Sequence, residues 1–264
     1  MTKKPIIYTK QALIDKLKEI VNTGWIPNAR RGNQGGIGNT LEDLLGIKEN
    51  NLPIPNAAEW ELKAQRLNSS SLTTLFHIEP SPRAVGFVSQ ILLPKYGWAH
   101  QEAGKKYTSK ELSFRQTICT SKSDRGFAVK IDQEERKILI SFDASAVDKR
   151  HKAWLKSVNK RIGLSEIKPQ PYWGFDDLEH KAGTKLLNCF YVQAEVKVER
   201  KKEFYKYTKI MMLQKFSFKG FLKAIEKSNI LVDFDARTGH NHGTKFRMRQ
   251  NCLPILYEKT TIII

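Results

Sequence analysis

The stretch NLPIPNAAEWELKAQR, residues 51–66, contains the residues from which the fold and the chemistry of this chain are predicted. In its second half, charged and polar residues alternate with apolar ones, a pattern that is typical of a β-strand. Because side chains on a strand point alternately to opposite faces, Glu61 and Lys63 share one face. The opposite face is left to residues that can pack in a core, namely Trp60, Leu62 and Ala64.

An acid and a lysine on one face of a strand suit a metal-dependent centre for phosphodiester hydrolysis. Glu61 would bind Mg²⁺, a hard cation that prefers oxygen ligands, and Mg²⁺ would lower the pKa of a bound water. Lys63 would orient that water or stabilise the transition state. Such centres also use a second acid a few residues upstream, typically an Asp after a Pro, but here Asn56 follows Pro55. The tripeptide alone is also compatible with an ordinary ion pair on a strand.

Composition indicates a globular, strongly basic protein. The 264 residues include 45 Lys and Arg against 27 Asp and Glu, a formal net charge of +18. Such an excess favours a polyanionic partner, most often nucleic acid. No apolar run is long enough to cross a bilayer and no signal-peptide pattern is present, so we expect no membrane partner and a cytoplasmic location. The three cysteines are widely spaced and form no Cys-x-x-Cys pair, which argues against a disulfide framework and a zinc site.

The hydrophobic pattern predicts a mixed α and β fold. A first helix follows a Thr9 cap and stops at Gly24, and a second starts at a capping box formed by Thr40 and Asp43. Two more helices are predicted over residues 151–161 and 218–227. Strands are predicted over residues 60–66, 72–77, 112–118, 127–131, 138–142, 189–200, 204–216 and 229–234.

The segment GNTLEDLLGI, residues 38–47, followed by NNLPIPN and ELKAQR, resembles the N-terminal active-site region of the MvaI/BcnI restriction endonucleases. These enzymes are relatives of the mismatch-repair nicking enzyme MutH. The family pattern is a Gly loop, a Leu-Glu-x-x-Leu-Gly helix, a Pro-Asp and a Glu-x-Lys. NSSSLTTLF, residues 68–76, also resembles MvaI-type sequences, so the resemblance is specific over about the first third of the chain. Beyond residue 76 it rests on the order of elements and on a basic C-terminal loop.

The resemblance implies an α/β (α+β) fold of the PD-(D/E)xK type, in which helices flank a mixed central sheet in a MutH-like arrangement. It implies one restriction-endonuclease-like unit over residues 1–264, with a catalytic lobe (1–150) and a DNA-recognition lobe (151–264) that form a DNA cleft. The implied activity is Type II, Mg²⁺-dependent cleavage of double-stranded DNA at a short GC-rich, near-palindromic site such as CCWGG or CCSGG. The implied enzyme is a monomer that cuts the strands one after the other.

The resemblance also assigns roles to single residues. Glu61 is then a metal ligand, Lys63 the catalytic lysine, and Glu42 the helical glutamate that supports the site. Asn56 occupies the position of the metal-binding Asp, where it offers Mg²⁺ a neutral oxygen but no charge. Three explanations stay open: an inactivating substitution, a natural variant that uses Glu59 or Glu42 instead, or an inactive relative.

The segment DFDARTGHNHGTKFRMR, residues 233–249, is the candidate for base recognition. Arg pairs bidentately with guanine, His or Asn can contact neighbouring base edges, and glycines let a backbone approach DNA closely. We expect two or three base contacts from its basic residues, the alternative being a solvated hairpin that contacts only phosphates. These residues are Arg237, His240, His242, Lys245, Arg247 and Arg249.

Four further arginines are weaker candidates for DNA contacts. Arg30 and Arg31 lie in a Gly-rich loop, residues 29–39, and would hold a phosphate near the cleaved strand. Arg115 and Arg125 lie in or beside central strands. For both pairs, a role at the surface or in stabilising a strand is at least an equal expectation. Other functions also stay open: a MutH-like nicking enzyme, or a sequence-specific DNA-binding protein that does not cleave. An RNA-binding protein is disfavoured because no aromatic RNP-type strand is present.

Overall fold

The computed structural model describes residues 8–28, 36–47, 59–67 and 69–264. The predicted site residues Arg30, Arg31 and Asn56 lie outside these ranges. The helices are α1 Lys10–Asn22, α2 Gly36–Leu44, α3 Leu93–Tyr96, α4 Lys152–Ile162, α5 Phe175–Leu186 and α6 Phe218–Glu226. The strands are β1 Trp25–Pro27, β2 Glu61–Arg66, β3 Thr73–His77, β4 Trp98–Ala99, β5 Leu112–Ile118, β6 Arg125–Asp132, β7 Lys137–Val147, β8 Tyr172–Gly174, β9 Asn188–Glu199, β10 Lys202–Phe216, β11 Ile230–Arg237, β12 His240–Asn241, β13 Lys245–Met248 and β14 Tyr257–Ile262.

The chain divides into two compact units, each assembled from separate segments. The first unit comprises Met1–Thr73, His180–Phe221 and Arg249–Ile264, and the second comprises Thr74–Glu179 and Leu222–Met248. Each unit therefore draws residues from both sides of position 150. The functional lobes 1–150 and 151–264 stay a prediction.

The first unit is built on a mixed sheet in the order β1-β10-β9-β2, with β14 also paired to β10. The long strands β9 and β10, both predicted from the sequence, pair as an antiparallel hairpin. β2 pairs with β9 in parallel, in a register that sets Glu61 opposite Cys189 and Gln65 opposite Gln193. This parallel pair positions the candidate site.

One face of this sheet is covered by apolar residues of α1 and α2. The buried cluster joins Leu17 of α1 and Leu41 of α2 to Leu62 of β2, and Trp60 packs on Phe190 with a ring-centroid distance of 4.7 Å. Thr9 caps α1 as predicted, since its side-chain oxygen accepts a hydrogen bond from the Ala12 N–H. The apolar half of the Trp60–Arg66 alternation therefore faces a core, and the polar half is left for the opposite face.

The predicted start of the second helix was wrong. α2 begins at Gly36, and Thr40 lies inside it with 1% of its surface exposed, so Thr40 and Asp43 do not form its N-terminal capping box. The apolar spacing of Ile37 and Leu41, both in the buried cluster, extends the helix by one turn on the N-terminal side. At position 36 there is no room for a side chain, because a Cβ there would lie 2.5 Å from the Tyr205 hydroxyl oxygen.

The second unit is built on two sheets. One has the order β3-β13-β11-β5-β4, with β12 also paired to β11, and the other has the order β6-β7-β8. Phe114 of β5 makes edge contacts with Phe127 of β6 and Phe234 of β11, at centroid distances of 5.6 and 5.5 Å. The expected mixed α/β class, with helices around central sheets, is confirmed. Among the described residues, no helix is long and apolar enough to span a bilayer.

Candidate active site

The polar face of the first-unit sheet is formed by alternate residues of two parallel neighbours. On β2 these are Glu61, Lys63 and Gln65, and the residues opposite them on β9 are Cys189, Tyr191 and Gln193. The expectation that Glu61 and Lys63 share a face is confirmed. Lys63 is the most accessible of this set, since the other five side chains are buried.

The Glu61 carboxylate lies between two ammonium groups. Its Oε1 is 2.7 Å from Lys63 Nζ, and its Oε2 is 3.1 Å from Lys185 Nζ. Glu61 is 1% exposed, and each lysine side chain is 14% exposed. Removing a carboxylate from water is costly unless opposite charges and hydrogen bonds offset it, and the two lysines supply both. These three residues, Lys63, Glu61 and Lys185, are called the Glu61 centre below.

Lys185 was not predicted from the sequence. It lies one residue before the end of α5, a helix that the sequence reading also missed. The sequence does contain a pattern that predicts this helix. Asp176 and Asp177 occupy its first turn, and acidic residues stabilise a helix N-terminus. Fully buried residues then follow at a spacing of four: Leu178, Ala182 and Leu186.

Two neutral groups lie close enough to Glu61 to interact with its charge. Cys189, opposite Glu61 in the register, is fully buried, and this burial raises the pKa of its thiol far above the ordinary value. Burial is the main cause that raises the pKa of Tyr257 well above its usual range, and the neighbouring Cys189 and Glu61 add to it. Both side chains therefore stay protonated at neutral pH, and a buried thiol of raised pKa is a poor nucleophile.

Beyond Lys63, the polar face continues as a hydrogen-bonded network. The Tyr191 hydroxyl donates to Gln65 Oε1, and Gln193 Nε2 donates to Asn251 Oδ1 at 2.7 Å. The Asn251 backbone N–H donates to Gln65 Oε1 at 3.3 Å, which ties the segment before β14 to β2. The network restrains the strand that carries Lys63, because each of its members is bonded to a neighbour from another element.

Two acidic residues that were predicted to assist Glu61 lie in the described part of the chain. Glu42 is half-buried on α2, a helix that packs on the apolar side of β2, and Glu59 is exposed just before the strand. Within the described ranges, no group of three or more His, Cys, Asp or Glu side chains is arranged to hold a metal ion. The supporting role of Glu42 stays a prediction, as does that of Asn56.

A second candidate surface lies on the second-unit sheet, where alternate residues of β5, β11 and β13 share one polar face. We call it the charged sheet face, and its members are Arg115, Thr117, Asp233, Asp235, Arg237, Lys245 and Arg247. The register brings four of the predicted DNA-contacting residues onto this one face. The neighbouring residues, such as Phe114, Phe234 and Phe246, are fully buried in the core.

Carboxylates orient the basic groups on this face. Arg115 binds Asp235 through Nε at 2.7 Å and through Nη2 at 3.2 Å, and Lys245 Nζ lies 3.7 Å from the same carboxylate. Burial opposes ionisation of Asp235, but the Arg115 hydrogen bonds and the nearby positive charges together outweigh it and hold the pKa of Asp235 below its ordinary value. Arg247 Nη1 lies 3.2 Å from Asp233 Oδ2. The acids therefore fix the direction in which the arginine forks point.

Arg237 and the two histidines lie at the end of the same hairpin. Arg237 Nη1 is 3.1 Å from Glu111 Oε1, and its guanidinium lies over the Tyr107 ring at 4.6 Å. His240 and His242 are exposed, with ring centroids 4.2 Å apart in an edge arrangement. Arg249 is also exposed, and its position in the chain falls in the first unit.

Arg125 has the surroundings of a packing residue. Its side chain is 18% exposed, and its guanidinium lies 4.0 Å from the centre of the Trp98 ring and 5.5 Å from that of Trp154. Burial lowers the pKa of Arg125 from its ordinary value. Stacking between two indoles stabilises a guanidinium away from water. A DNA contact by Arg125 stays an untested prediction.

The fold is that of a restriction endonuclease. Two solved structures share the fold. "Restriction endonuclease MvaI-cognate DNA substrate complex" is 26% identical, with a TM-score of 0.77 over 97% of this chain and 100% of that one. "Restriction endonuclease MvaI in the absence of DNA" is 25% identical, with a TM-score of 0.54 over 99% of this chain and 100% of that one.

The sequence model of the MvaI/BcnI restriction endonuclease family matches residues 14–257, and the chain belongs to this family. The resemblance first seen in residues 38–76 is therefore confirmed over nearly the whole length. Among curated proteins, no match to this chain is found.

Proposed function

We propose that the chain is a Type II restriction endonuclease that hydrolyses phosphodiester bonds of double-stranded DNA at a short GC-rich site. The proposal includes a PD-(D/E)xK, MutH-like fold, dependence on Mg²⁺, and action as a monomer in the cytoplasm. The observation that carries it is the Glu61–Lys63 pair, held side by side on one strand in a member of this family. A relative of the same fold is described in complex with its cognate DNA substrate.

The Glu61 carboxylate is a ligand that fits Mg²⁺. Mg²⁺ is commonly held by one or two carboxylates together with waters and substrate phosphates, so the Glu61 carboxylate is a sufficient protein anchor. Asn56 is the second proposed ligand, with a neutral oxygen, and Glu42 the proposed supporting acid. The chemistry that Mg²⁺ supplies in such a site is stabilisation of the negative charge that develops on the phosphate.

Lys63 is proposed to act on the reacting groups directly. Its ammonium is bonded to Glu61 and its side chain is 14% exposed, so the side chain has limited freedom but can still reach a substrate. A positive hydrogen-bond donor in this position would orient the attacking water or stabilise charge in the transition state. The Gln65–Tyr191–Gln193–Asn251 network would keep the strand, and so the lysine, in place.

The charged sheet face is proposed to recognise the DNA bases. An arginine fork that a carboxylate holds in one direction is suited to bidentate pairing with guanine in the major groove. Arg115, Arg237 and Arg247 are each held in this way, which supports a GC-rich site. The exposed His240 and His242 would contact neighbouring base edges. Lys245 and Arg249 would contribute base or phosphate contacts, and Arg30 and Arg31 are proposed to hold a phosphate.

Asn56 favours a second candidate function, which is sequence-specific DNA binding without cleavage. A neutral amide in place of the family's Asp removes one negative charge from the proposed metal site, and hard cations prefer charged oxygen ligands. Both candidate functions use the charged sheet face, and they differ only in whether the phosphodiester is cut.

Digestion of genomic and plasmid DNA separates these candidates. The chain and its Asn56→Asp variant are incubated with DNA and Mg²⁺, and the ends of the products are sequenced. We expect Asn56→Asp to give fragments that share a short GC-rich end sequence, and Asn56→Asp with Glu61→Gln to give none. Nicked circles without linear product would favour a MutH-like nicking enzyme. Tight, specific binding without cleavage by either form would favour the DNA-binding function.

A further inference from the structure

We propose that Lys185 is a positioning residue that weakens the binding of divalent cations at Glu61. The proposal rests on the proposed role of Glu61 as a metal ligand and adds a residue to that site. The starting observation is that both oxygens of Glu61 are engaged, Oε1 by Lys63 at 2.7 Å and Oε2 by Lys185 at 3.1 Å.

A cation at Glu61 competes with an ammonium group at either oxygen. Lys63 and Lys185 both lie within hydrogen-bond distance of the carboxylate, so an incoming cation displaces one of them or shares the oxygen with it. Either arrangement brings positive charges together in a nearly water-free place, where repulsion is weakly screened. Each lysine therefore lowers the affinity of Glu61 for a cation.

Lys185 has little freedom to move away from Glu61. It lies on the last turn of α5, between Ala182 and Leu186, which are both completely buried. The backbone of this turn is therefore fixed by packing, and only the side chain can move away from Glu61. Its 14% exposure shows that the side chain is itself largely enclosed.

The net charge of the Glu61 centre also disfavours the binding of a cation. Two ammonium groups against one carboxylate give a formal net charge of +1. These three groups by themselves favour a DNA phosphate over a free divalent cation. A cation binds more readily after the negative phosphate has joined, so Lys185 favours metal binding in the DNA complex over metal binding by the free protein.

Titration of the DNA-free protein with Mn²⁺ tests the proposal, with bound Mn²⁺ followed by electron paramagnetic resonance at pH 8. The Glu61 component is defined as the binding that Glu61→Gln abolishes. We expect Lys185→Met to tighten this component at least tenfold and Lys185→Arg, which keeps the charge, to leave it within about twofold. Lys185→Gln is a second neutral variant, in case the methionine variant does not fold.

A matched control removes a charge elsewhere in the same unit. Lys219→Met deletes an exposed lysine of α6 and lowers the net charge equally, so we expect unchanged Mn²⁺ affinity. If both neutral Lys185 variants bind Mn²⁺ within twofold of the parent, the role of Lys185 is overturned while Glu61 can still be a ligand. If Glu61→Gln removes no Mn²⁺ binding, either from the parent or from the Lys185→Met variant, the ligand assignment of Glu61 fails, and the role of Lys185 fails with it.

Discussion

Replacing Glu61 by Gln leaves two enclosed ammonium groups without the carboxylate that now lies between them. Lys63 and Lys185 are each 14% exposed, so neither charge is well hydrated. Removing one partner of a buried ion pair costs about 3–5 kcal/mol. Because lysine side chains are long and can turn partly toward water, we expect the lower end of this range, about 3 kcal/mol.

The single and double variants separate charge compensation from packing. Lys185→Met removes one ammonium group but leaves Glu61 paired with Lys63, so we expect a smaller loss of about 1–2 kcal/mol. Combining it with Glu61→Gln removes one of the two repelling charges, so the double variant should be more stable than the sum of the single effects predicts. We expect a coupling energy of about 1–2 kcal/mol, as is usual for residues in one ionic network.

Urea denaturation followed by tryptophan fluorescence measures these free energies of unfolding. Trp60, one of five tryptophans, is 2% exposed and packs on Phe190 in the core beneath β2, so part of the emission reports on the unit that contains the Glu61 centre. In a thermal scan the loss for Glu61→Gln corresponds to a decrease in Tm of about 6–12 °C. If Glu61→Gln lowers the free energy of unfolding by less than about 0.5 kcal/mol, or if the effects of the two substitutions are strictly additive, the three charges do not stabilise one another.

Three other predictions concern the rest of the fold. Gly36→Ala places a Cβ 2.5 Å from a tyrosine hydroxyl oxygen and should destabilise the protein by about 1–2 kcal/mol. In the same helix, the Cβ of Gly38→Ala meets nothing within 4 Å, so this variant should be more stable by about 0.5–1 kcal/mol. Equal effects of the two variants in urea unfolding would show that crowding at Gly36 is not important. Phe114→Ala, at a fully buried position, should cost about 3–5 kcal/mol, and a loss under 1 kcal/mol would argue against the aromatic core. The bidentate hydrogen bonds from Arg66 hold the pKa of Glu203 below its ordinary value, so their stabilisation is full above about pH 4.5 and is lost as the pH falls through the lowered pKa. Arg66→Gln should therefore cost about 1 kcal/mol at pH 7 and much less once the pH is below the lowered pKa of Glu203. A cost that does not change with pH would show that the ion pair is not the cause.

The sequence allowed much of the first-unit sheet to be predicted because its signals are local. Alternation identified β2, β9 and β10, and the two-residue period set Glu61 and Lys63 on one face. The family resemblance then supplied a chemical meaning for that pair, and the family assignment is confirmed. Local alternation does not specify which strand pairs with which, so the parallel pairing of β2 with β9 was not predictable from either segment alone.

The remainder of the candidate site depends on contacts between distant residues. Lys185 reaches Glu61 from a helix more than a hundred residues further along the chain, so no motif spacing connects the two. Asp235 likewise meets Arg115 only through the register of β5 and β11. The missed helix α5 is different, because its acidic first turn and its buried spacing of four were visible locally.

A cleavage assay on Glu61→Gln tests whether Glu61 is the essential carboxylate of a DNA-cleaving centre. The substitution is made in whichever form cuts DNA, the chain itself or its Asn56→Asp variant, and double-stranded DNA binding is measured in parallel. We predict that Mg²⁺-dependent cleavage falls by about a thousandfold or more, since a metal anchor supplies several kcal/mol of transition-state stabilisation. DNA affinity should stay within about threefold, because most of it comes from phosphate contacts elsewhere. A cleavage rate that stays within tenfold of the parent would show that Glu61 is not the essential carboxylate.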